Sequence, residues 1–372
     1  MKTQPKIKRN YKVIILIALI TGFISGFEFT NIFLLNDDNV TQITIVYSSE
    51  KSSWMTIAYT DFLEDWNAKN PNQKIRIDMH PYGSSDSIIS ILNGEIFPTI
   101  WSPASSLWLP FLNTKWQSLK SNIEPIVNTS ETVKIIYSPI VIATWEEFNN
   151  THEINGLADI RELNLDPTVN VKMAHTDPRL SNSGFMTTIM ATSAASGIDS
   201  VNLSFSDLAD PNNQQWLREF ESSAIMYGKS TGFLSRYMKT GGPDALNIVF
   251  LYENLVRDIS ATSSGGKVIA IYPEEGTLYS DHPFCILNAD WVSPDQKIVA
   301  ESFLSFLNKR DTVETATEFG FRPINSSIPI DPNIFNYENY GISYNLSVPE
   351  LEVPNSGEVL LKIPDLWLLT KA

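Results

Sequence analysis

Four short serine-rich segments carry the residue types that could bind a solute through its oxygen atoms. They are residues 48–50, 83–87, 102–106 and 181–184. Each segment lies just before a predicted helix, where four backbone N–H groups lack intrahelical partners and the helix dipole is positive. Such N–H groups and serine hydroxyls can hold oxygen acceptors without a formal cation. Ordinary helix capping is the alternative for each segment, because serine and asparagine are preferred N-caps.

Residues that could perform catalysis form weaker patterns. His175 lies two positions from Asp177, and Asp281 precedes His282. Side chains at these spacings rarely face each other, whereas a catalytic triad is a spatial arrangement. The sequence has no H-E-x-x-H, P-loop or G-x-G-x-x-G motif, and its single cysteine excludes a C-x-x-C pair. These observations argue against an enzyme and indicate neither a cofactor nor a metal site.

The elements that must position the serine segments alternate between strands and helices. Residues 41–47 alternate and are β-branched, which predicts a strand, and apolar residues at helical spacing predict a helix over 54–67. Residues 74–79 alternate again, so the chain begins with a β-α-β unit that favours a parallel sheet with a right-handed crossover. Three further elements continue the pattern: a helix at 86–92, a short strand at 99–100 and a helix at 105–112.

Residues 134–144 form a strongly apolar predicted strand that contains Pro139. Because proline is rare inside a central strand, we interpret this segment as a crossing between two lobes. A second set of elements follows: a strand at 171–174, a helix opening at Ser183, helices at 214–226 and 245–259, a return strand at 265–272 and a helix at 298–307. Ligands of open α/β sheets bind at the carboxyl ends of strands, where the serine segments are expected.

This alternation predicts an α/β fold of two doubly wound lobes joined by crossing strands and preceded by one N-terminal membrane helix. The predicted organisation is a cytoplasmic basic tip and signal anchor at 1–36, the first part of lobe 1 at 37–137, lobe 2 at 138–271, the returning part of lobe 1 at 272–330 and a C-terminal extension at 331–372. The chain has 372 residues, of which 43% are hydrophobic, so it is long and apolar enough to bury the cores of two such lobes.

The charge distribution excludes one class of partner. The formal net charge is −15, although five basic residues lie within the first twelve positions. No other cluster of lysine or arginine follows, and an acidic body repels nucleic acid. Nucleic acid is therefore not an expected partner.

The N-terminus predicts a location outside the cytoplasm. Residues 13–27 and 29–35 are apolar or small and follow the basic segment, so the basic end stays in the cytoplasm and the body lies outside. We expect an uncleaved single-pass anchor in the cell membrane, because no A-x-A-like cleavage site follows; a cleaved export signal and a buried core helix are the alternatives. Six N-x-S/T sequons agree with an extracellular glycoprotein: Asn39, Asn128, Asn149, Asn202, Asn325 and Asn345.

Seven sequence strings together resemble the extracellular solute-binding proteins of the type 2 periplasmic-binding fold. They are YSSEKSSWM, HPYGSSDS, PTIWSPASSLWL, YSPIVIATW, HTDPRLSNSGF, AIYPEEGTLYSDHPF and GFRPIN, within about residues 41–328. More narrowly, they are similar to the group related to molybdate-binding proteins, whose relatives are often joined to a von Willebrand factor A domain. This sequence departs from that group because it shows neither such a domain nor a lipid-accepting cysteine.

The resemblance implies a two-lobed receptor that closes on a solute and commonly delivers it to an ABC importer. It also implies nine ligand-facing residues: Ser48, Ser49, Ser84, Ser85, Ser102, Ser105, Ser138, Ser183 and Tyr272. The solute stays open between an oxyanion, a sugar and other small molecules, because the group's ligands are diverse and the acidic body would oppose long-range attraction of an anion.

Three functional hypotheses follow. The first is a membrane-anchored extracellular receptor that hinges near Ser138 and Tyr272, closes on a small solute and works with an ABC permease. The second is a cell-surface sensor or protein-interaction domain with the same fold and no transport. The third is a secreted hydrolase that uses Asp177, His175 or Glu274, and the weak catalytic spacing argues against it.

Overall fold

A computed structural model describes residues 40–120 and 124–371 of the chain. The predicted membrane helix within residues 13–35 lies outside the described residues. Within them, no helix combines the length and the apolarity that a membrane span requires.

The described residues form two mixed β-sheets. Their strands, in chain order, are β1 (Val40–Ser48), β2 (Lys74–Tyr82), β3 (Ile100–Ser102), β4 (Ile136–Trp145), β5 (Met173–Thr176), β6 (Ala224–Gly228), β7 (Ile248–Tyr252), β8 (Val268–Ile271), β9 (Thr277–Ser280), β10 (Cys285–Ile286), β11 (Arg322–Pro323) and β12 (Glu350–Leu351). The first sheet has the order β10-β3-β1-β2. The second has the order β12-β9-β4-β7-β5-β6, and β8 and β11 also pair with β4.

Helices cover both sheets. In chain order they are α1 (Ser52–Lys69), α2 (Ser84–Leu92), α3 (Trp108–Lys120), α4 (Glu146–His152), α5 (Leu157–Leu165), α6 (Asn182–Ser196), α7 (Phe205–Ala209), α8 (Pro211–Glu221), α9 (Thr231–Gly241), α10 (Glu253–Thr262), α11 (Pro294–Leu307), α12 (Arg310–Glu318), α13 (Tyr337–Tyr340) and α14 (Gly357–Thr370). The α/β class predicted from the sequence is confirmed.

The first sheet is built around β1, which pairs in parallel with β2 and β3. Ile43 and Ile45 share a core cluster with Trp54 of α1 and Phe303 of α11. Val46, on the opposite face of the strand, joins the core formed with α2 and α3. Burial on both faces explains why this strand is rich in β-branched residues, and the predicted parallel β1-α1-β2 unit is confirmed.

Strand β4 is the centre of the second sheet and continues through Pro139 without interruption. Its first residues pair with β9 and β11, and its second half pairs with β7 and β8, all antiparallel. This antiparallel pairing makes the sheet mixed, in contrast to the predicted doubly wound lobes. The chain enters the second sheet at β4 and returns to the first between β9 and β10. The sequence predicts that the chain returns to the first lobe at residue 272. Tyr272 instead lies between β8 and β9, both in the second sheet, and the chain leaves that sheet only after Ser280.

Two predicted helices are wrong in part. The segment 245–259 contains strand β7 and only then helix α10. All of β7 is buried, and an unbroken apolar run has no periodicity that distinguishes a buried strand from a helix. The segment 214–226 is helical only as far as Glu221, and β6 begins at Ala224. Helix α9, which follows β6, has no counterpart in the sequence prediction.

The residues after 330 pack against the second sheet. Strand β12 pairs in parallel with β9, and Gly341 O accepts a hydrogen bond from Ala270 N at 2.7 Å. Helix α14 packs on α6, α7 and α8, with Ile363 and Trp367 buried. The C-terminal segment therefore adds to the core of the second sheet.

Candidate functional site

The serine-rich segments of the two sheets meet along one line of contact, which we call the seam. On the first-sheet side it comprises residues 48–51, 83–86, 102–108 and 282, and on the second-sheet side residues 138, 176–184, 230–232, 252 and 254. Hydrogen bonds that cross the seam join Gly232 N to Ser49 Oγ (3.1 Å), Asp86 N to Leu180 O (3.0 Å) and Trp108 Nε1 to Asn182 Oδ1 (2.7 Å). The carboxyl ends of β1, β3, β5 and β7 thus lie together, at the position where open α/β sheets bind ligands.

Two glycines allow the two sides to come into backbone contact. A Cβ atom on Gly83 would lie 2.4 Å from Leu180 O, and one on Gly232 would lie 2.9 Å from Ser49 O. Both distances are shorter than van der Waals contact, so a side chain at either position would push the two sides apart. The seam is therefore in a closed arrangement.

The turn after β1 carries Ser48 and Ser49. Ser48 ends the strand and donates a hydrogen bond to the carboxylate of Glu50. Ser49 begins a 3₁₀ turn, and its Oγ accepts the bond from Gly232 across the seam. Both serines are buried, so the closed seam covers them.

Three more predicted residues lie on the same side. Ser84 begins α2, Ser102 ends β3 and Ser105 lies in the loop that follows. Ser84 Oγ accepts a hydrogen bond from Ala104 N at 3.0 Å, which ties the start of α2 to the loop after β3. Ser105 Oγ accepts from Leu107 N at 3.3 Å. The structure brings these three serines together at the ends of neighbouring elements.

The second-sheet side contributes Ser183 and Ser138. Ser183 Oγ lies 2.8 Å from Thr176 Oγ1 and 2.7 Å from Thr231 Oγ1, which forms a chain of three hydroxyls. Ser138 of β4 accepts a hydrogen bond from Asn254 N at 3.3 Å. Both serines are fully buried.

Two predicted residues have different surroundings. Ser85 is half-buried and lines an apolar groove between α2 and α3. The hydroxyl of Tyr272 donates to Glu253 and accepts from Ser343 N at 3.0 Å, so this residue belongs to a buried ion cluster at the base of α10. Its hydroxyl is directed there because the fully buried carboxylate of Glu253 requires hydrogen-bond donors.

A buried lysine organises the first-sheet side of the seam. Lys51 is fully buried, and its Nζ donates to Ser102 O (2.8 Å), Ser102 Oγ (2.6 Å) and Pro103 O (3.2 Å). Burial lowers the pKa of Lys51 to about 7, against the attraction of the Glu50 carboxylate. The ammonium group of Lys51 is therefore hydrogen-bonded to the protein itself, at Ser102 and Pro103.

Glu50 and His282 complete the charge cluster. Burial raises the pKa of Glu50, but contact with His282 and the charge of Lys51 outweigh burial and hold that pKa below its usual range. Burial lowers the pKa of His282, so its ring is neutral at pH 7. The ring Nδ1 lies 3.2 Å from Glu50 Oε1, yet neither ring nitrogen has an aligned hydrogen bond within the described chain. Asn254 Oδ1 is likewise unpaired there.

The histidine and aspartate that are close in sequence do not face each other. His175 Nε2 lies 2.9 Å from Glu221 Oε1 and its Nδ1 lies 2.8 Å from Thr176 O, whereas Asp177 pairs with Arg179. Burial lowers the pKa of His175, but the Glu221 carboxylate outweighs it, so the pKa is raised above its usual value. Across residues 40–120 and 124–371, no cluster of three His, Cys, Asp or Glu side chains could hold a metal ion.

Seam residues that bind across or along the seam but are absent from the nine predicted from the sequence include Asn182, which lies in the predicted segment 181–184, and Thr231, Gly232 and Asn254. Asn182 is a hub, since its Nδ2 donates to Tyr252 OH (2.8 Å) and Ser280 Oγ (2.9 Å) while its Oδ1 accepts from Trp108. Residues 230–232 read Ser-Thr-Gly at the start of α9. They carry the same signal as the serine segments, but α9 itself was missing from the prediction.

Comparison with known proteins identifies the family. Residues 44–322 match the family of bacterial extracellular solute-binding proteins, which covers most of the chain. The chain belongs to this family. The resemblance found in the sequence is thus confirmed for an extracellular solute-binding protein, while the narrower relation to molybdate-binding proteins and von Willebrand factor A fusions stays a prediction.

Solved structures of solute-binding proteins share the fold. The sulfate-binding protein SubI from Mycobacterium tuberculosis is 14% identical, with a TM-score of 0.55 over 82% of this chain and 93% of that one. The periplasmic binding protein AfuA from Actinobacillus pleuropneumoniae, with fructose-6-phosphate bound, is 13% identical, with a TM-score of 0.59 over 89% and 98%. The substrate-binding protein of an ABC transporter from Agrobacterium tumefaciens is 12% identical, with a TM-score of 0.60 over 91% and 96%. A search of curated proteins finds no match.

Proposed function

We propose that the seam captures a small solute through the solute's oxygen atoms and that this solute-binding protein acts as a receptor without catalytic turnover. The supporting observation is that five predicted serines accept a hydrogen bond at Oγ: Ser49, Ser84, Ser102, Ser105 and Ser138. A hydroxyl oxygen that accepts a hydrogen bond still has its proton to donate. The seam therefore offers hydroxyl donors, which match the oxygens of sulfate, phosphate, carboxylate or sugar groups.

Neutral groups would carry most of this recognition. The three N–H groups of Lys51 bind the loop after β3, and the carboxylate of Glu50 accepts from Ser48. An anionic solute would then be held by hydroxyls and by backbone N–H groups at helix starts. A sulfate-binding protein and a receptor with bound fructose-6-phosphate are among the structures of similar fold, and they support this ligand chemistry.

We further propose that the two sides open about β4 and the connection after β9, where the chain passes between the sheets. Opening would break the bonds from Gly232 to Ser49 and from Trp108 to Asn182. A solute that contacts both sides would stabilise the closed arrangement, because only that arrangement offers all the contacts at once.

The proposed setting is the outer face of a cell membrane. Residues 13–35 would anchor the chain with its body outside, and an ABC permease would receive the solute. Cell fractionation tests the anchor: the full chain should sediment with membranes, and a chain lacking residues 1–36 should not. Recovery of the full chain in the soluble fraction would contradict anchoring while leaving solute binding intact.

A thermal-shift screen of the full chain tests solute capture. Sulfate, phosphate, fructose 6-phosphate, glucose and amino acids would each be added in excess. A solute at a hundred times its dissociation constant stabilises the fold by about 2.7 kcal/mol, which raises Tm by several degrees. The double variant Ser102→Ala with Ser105→Ala should abolish the shift, and Ser222→Ala, at an exposed position, should not.

A folded sample that responds to none of these solutes would count against the receptor proposal. The sensor or protein-interaction hypothesis, in which the partner is a protein, would then be favoured.

A further inference from the structure

Lys51 connects the turn after β1 to the loop that carries Ser102 and Ser105. Its ammonium has three N–H donors, and the three acceptors within reach are Ser102 O, Ser102 Oγ and Pro103 O. The side chain is fully buried, so water does not compete for these bonds. The start of the loop, at Ser102 and Pro103, therefore depends on this protonated side chain, whereas Asp281 holds Ser106 further along.

These bonds orient the proposed donors. The bond from Lys51 to Ser102 Oγ occupies the hydroxyl oxygen and leaves its proton for another acceptor. The bond to Pro103 O fixes the residue before Ala104, whose N–H binds Ser84 Oγ. Without its proton, Lys51 has two donors for three acceptors, so one buried acceptor would lose its partner and the loop would be less restrained.

Several titratable groups face the ammonium from the elements packed around it. They are Glu50 in the same turn, Asp281 and His282 after β9, and Cys285 in β10. The carboxylates of Glu50 and Asp281 favour the ammonium. Cys285 is a neutral thiol, because burial raises its pKa to about 12, and His282 is a neutral imidazole. Burial outweighs the carboxylates and lowers the pKa of Lys51 to about 7, which allows the proton to exchange near neutral pH.

We propose, building on the proposed solute-binding function, that Lys51 is the positioning residue of the seam: its ammonium presents Ser102 and Ser105 to the solute, and loss of its proton weakens solute binding. Solute capture at slightly alkaline pH is then accompanied by uptake of a proton. By linkage, a bound solute increases the affinity of Lys51 for its proton by the same factor.

Hydrogen exchange in the unliganded full chain tests the positioning step. Amide protection of Ala104, whose N–H binds Ser84 Oγ and which follows Pro103, should decrease as the pH rises through 7 in the wild type, after correction for intrinsic exchange, and should be low at every pH in Lys51→Met. Lys362→Met is the control, since it removes an exposed ammonium that pairs with Asp365 at 2.9 Å on α14 and touches no part of the loop, and it should keep the wild-type profile. Equal, pH-independent protection in the wild type and Lys51→Met would overturn the proposal.

Calorimetric titration with sulfate and with fructose 6-phosphate tests the effect on binding. If only the protonated form binds, the apparent Kd of the wild type rises about 25-fold from pH 6.5 to pH 8.5. Lys51→Met should bind more weakly at pH 6.5 and show no rise. A wild-type Kd that is constant over this range would overturn the proposal. If neither solute binds, the proposed function fails for these two solutes, and the exchange result decides the role of Lys51 by itself.

The pH dependence of stability checks the lowered pKa of Lys51, and solute affinity measured over the same pH range separates a positioning lysine from a merely structural one. The folded pKa of Lys51 lies below its unfolded value of about 10.4, so the unfolded chain binds more protons between pH 7 and pH 10. The contribution of this group to stability therefore increases as the pH rises through that window. Relative to Lys51→Met, the wild type should gain Tm with rising pH while its solute affinity falls. A relative Tm that falls with rising pH would contradict the lowered pKa, and a solute affinity that stays constant while Tm rises would assign Lys51 a structural role only.

Discussion

The ion pair at the base of α10 and the charge cluster at the seam are both buried, but they differ in how completely their polar atoms are paired. At the base of α10, Arg322 binds Glu253 through Nε (2.7 Å) and Nη2 (2.8 Å). Its other N–H groups donate to Tyr344 O (3.0 Å) and Ser343 O (2.5 Å), and Tyr272 donates to the same carboxylate. This pair therefore holds the segment after residue 340 against β11 and α10.

The seam cluster lacks this completeness. Lys51 is fully hydrogen-bonded, but His282 faces Glu50 at 3.2 Å without an aligned bond, and Asn254 Oδ1 has no partner within residues 40–120 and 124–371. Buried polar atoms are nearly always paired, so unpaired ones call for an explanation. The contrast indicates that the complete network stabilises the fold, whereas the incomplete one lies where a solute could supply the missing bonds.

Arg322→Met should produce the largest effect, because it leaves the buried Glu253 carboxylate without its cation. Loss of one partner of a buried pair costs about 3–5 kcal/mol, and denaturant unfolding would measure it. The control Arg310→Met breaks the exposed pair with Glu314 and should cost at most about 1 kcal/mol. Similar losses in the two variants would show that the complete network does not carry the stability assigned to it.

Gly232→Ala should have an intermediate effect that is confined to the seam. The added Cβ would lie 2.9 Å from Ser49 O, so the two sides must separate, with a loss of about 1–3 kcal/mol. Small-angle scattering should show a larger radius of gyration. Gly357→Ala adds a methyl group where no atom lies within 4 Å and should leave the radius unchanged. An unchanged radius for Gly232→Ala would mean that the seam does not need this close backbone approach.

His282→Asn should have the smallest effect, and the same change at His175 provides the comparison. Both rings are fully buried, but His175 pairs with Glu221 and His282 has unpaired nitrogens. At His282 no aligned hydrogen bond is lost, and asparagine tolerates its φ of 39°, so stability should change by at most about 1 kcal/mol. His175→Asn should cost about 3 kcal/mol, because the buried Glu221 carboxylate loses its partner ring and keeps only the bond from the Tyr227 hydroxyl. Equal costs would remove the distinction between the two regions.

Local patterns in the sequence were sufficient for much of the fold. The alternation of residues 41–47 and the helical spacing of 54–67 predict β1 and α1, because an element with one face more buried than the other repeats its apolar residues at the period of its backbone. Ser84 and Ser183 are likewise found at the start of helices. Residues 248–252 mark the limit of this reasoning, since a run that is apolar throughout has no period.

Only the tertiary structure decided which of these groups meet. Ser49 and Gly232 are 183 positions apart, and their hydrogen bond depends on how two sheets pack, which no local pattern specifies. Tyr272 is directed to Glu253, and Lys51 is buried against Ser102, because neighbours distant in sequence provide their partners. The sequence by itself determined the elements and the serine-rich segments at their ends. Long-range packing determined the seam and its charges, because burial and pairing are properties of contacts between elements.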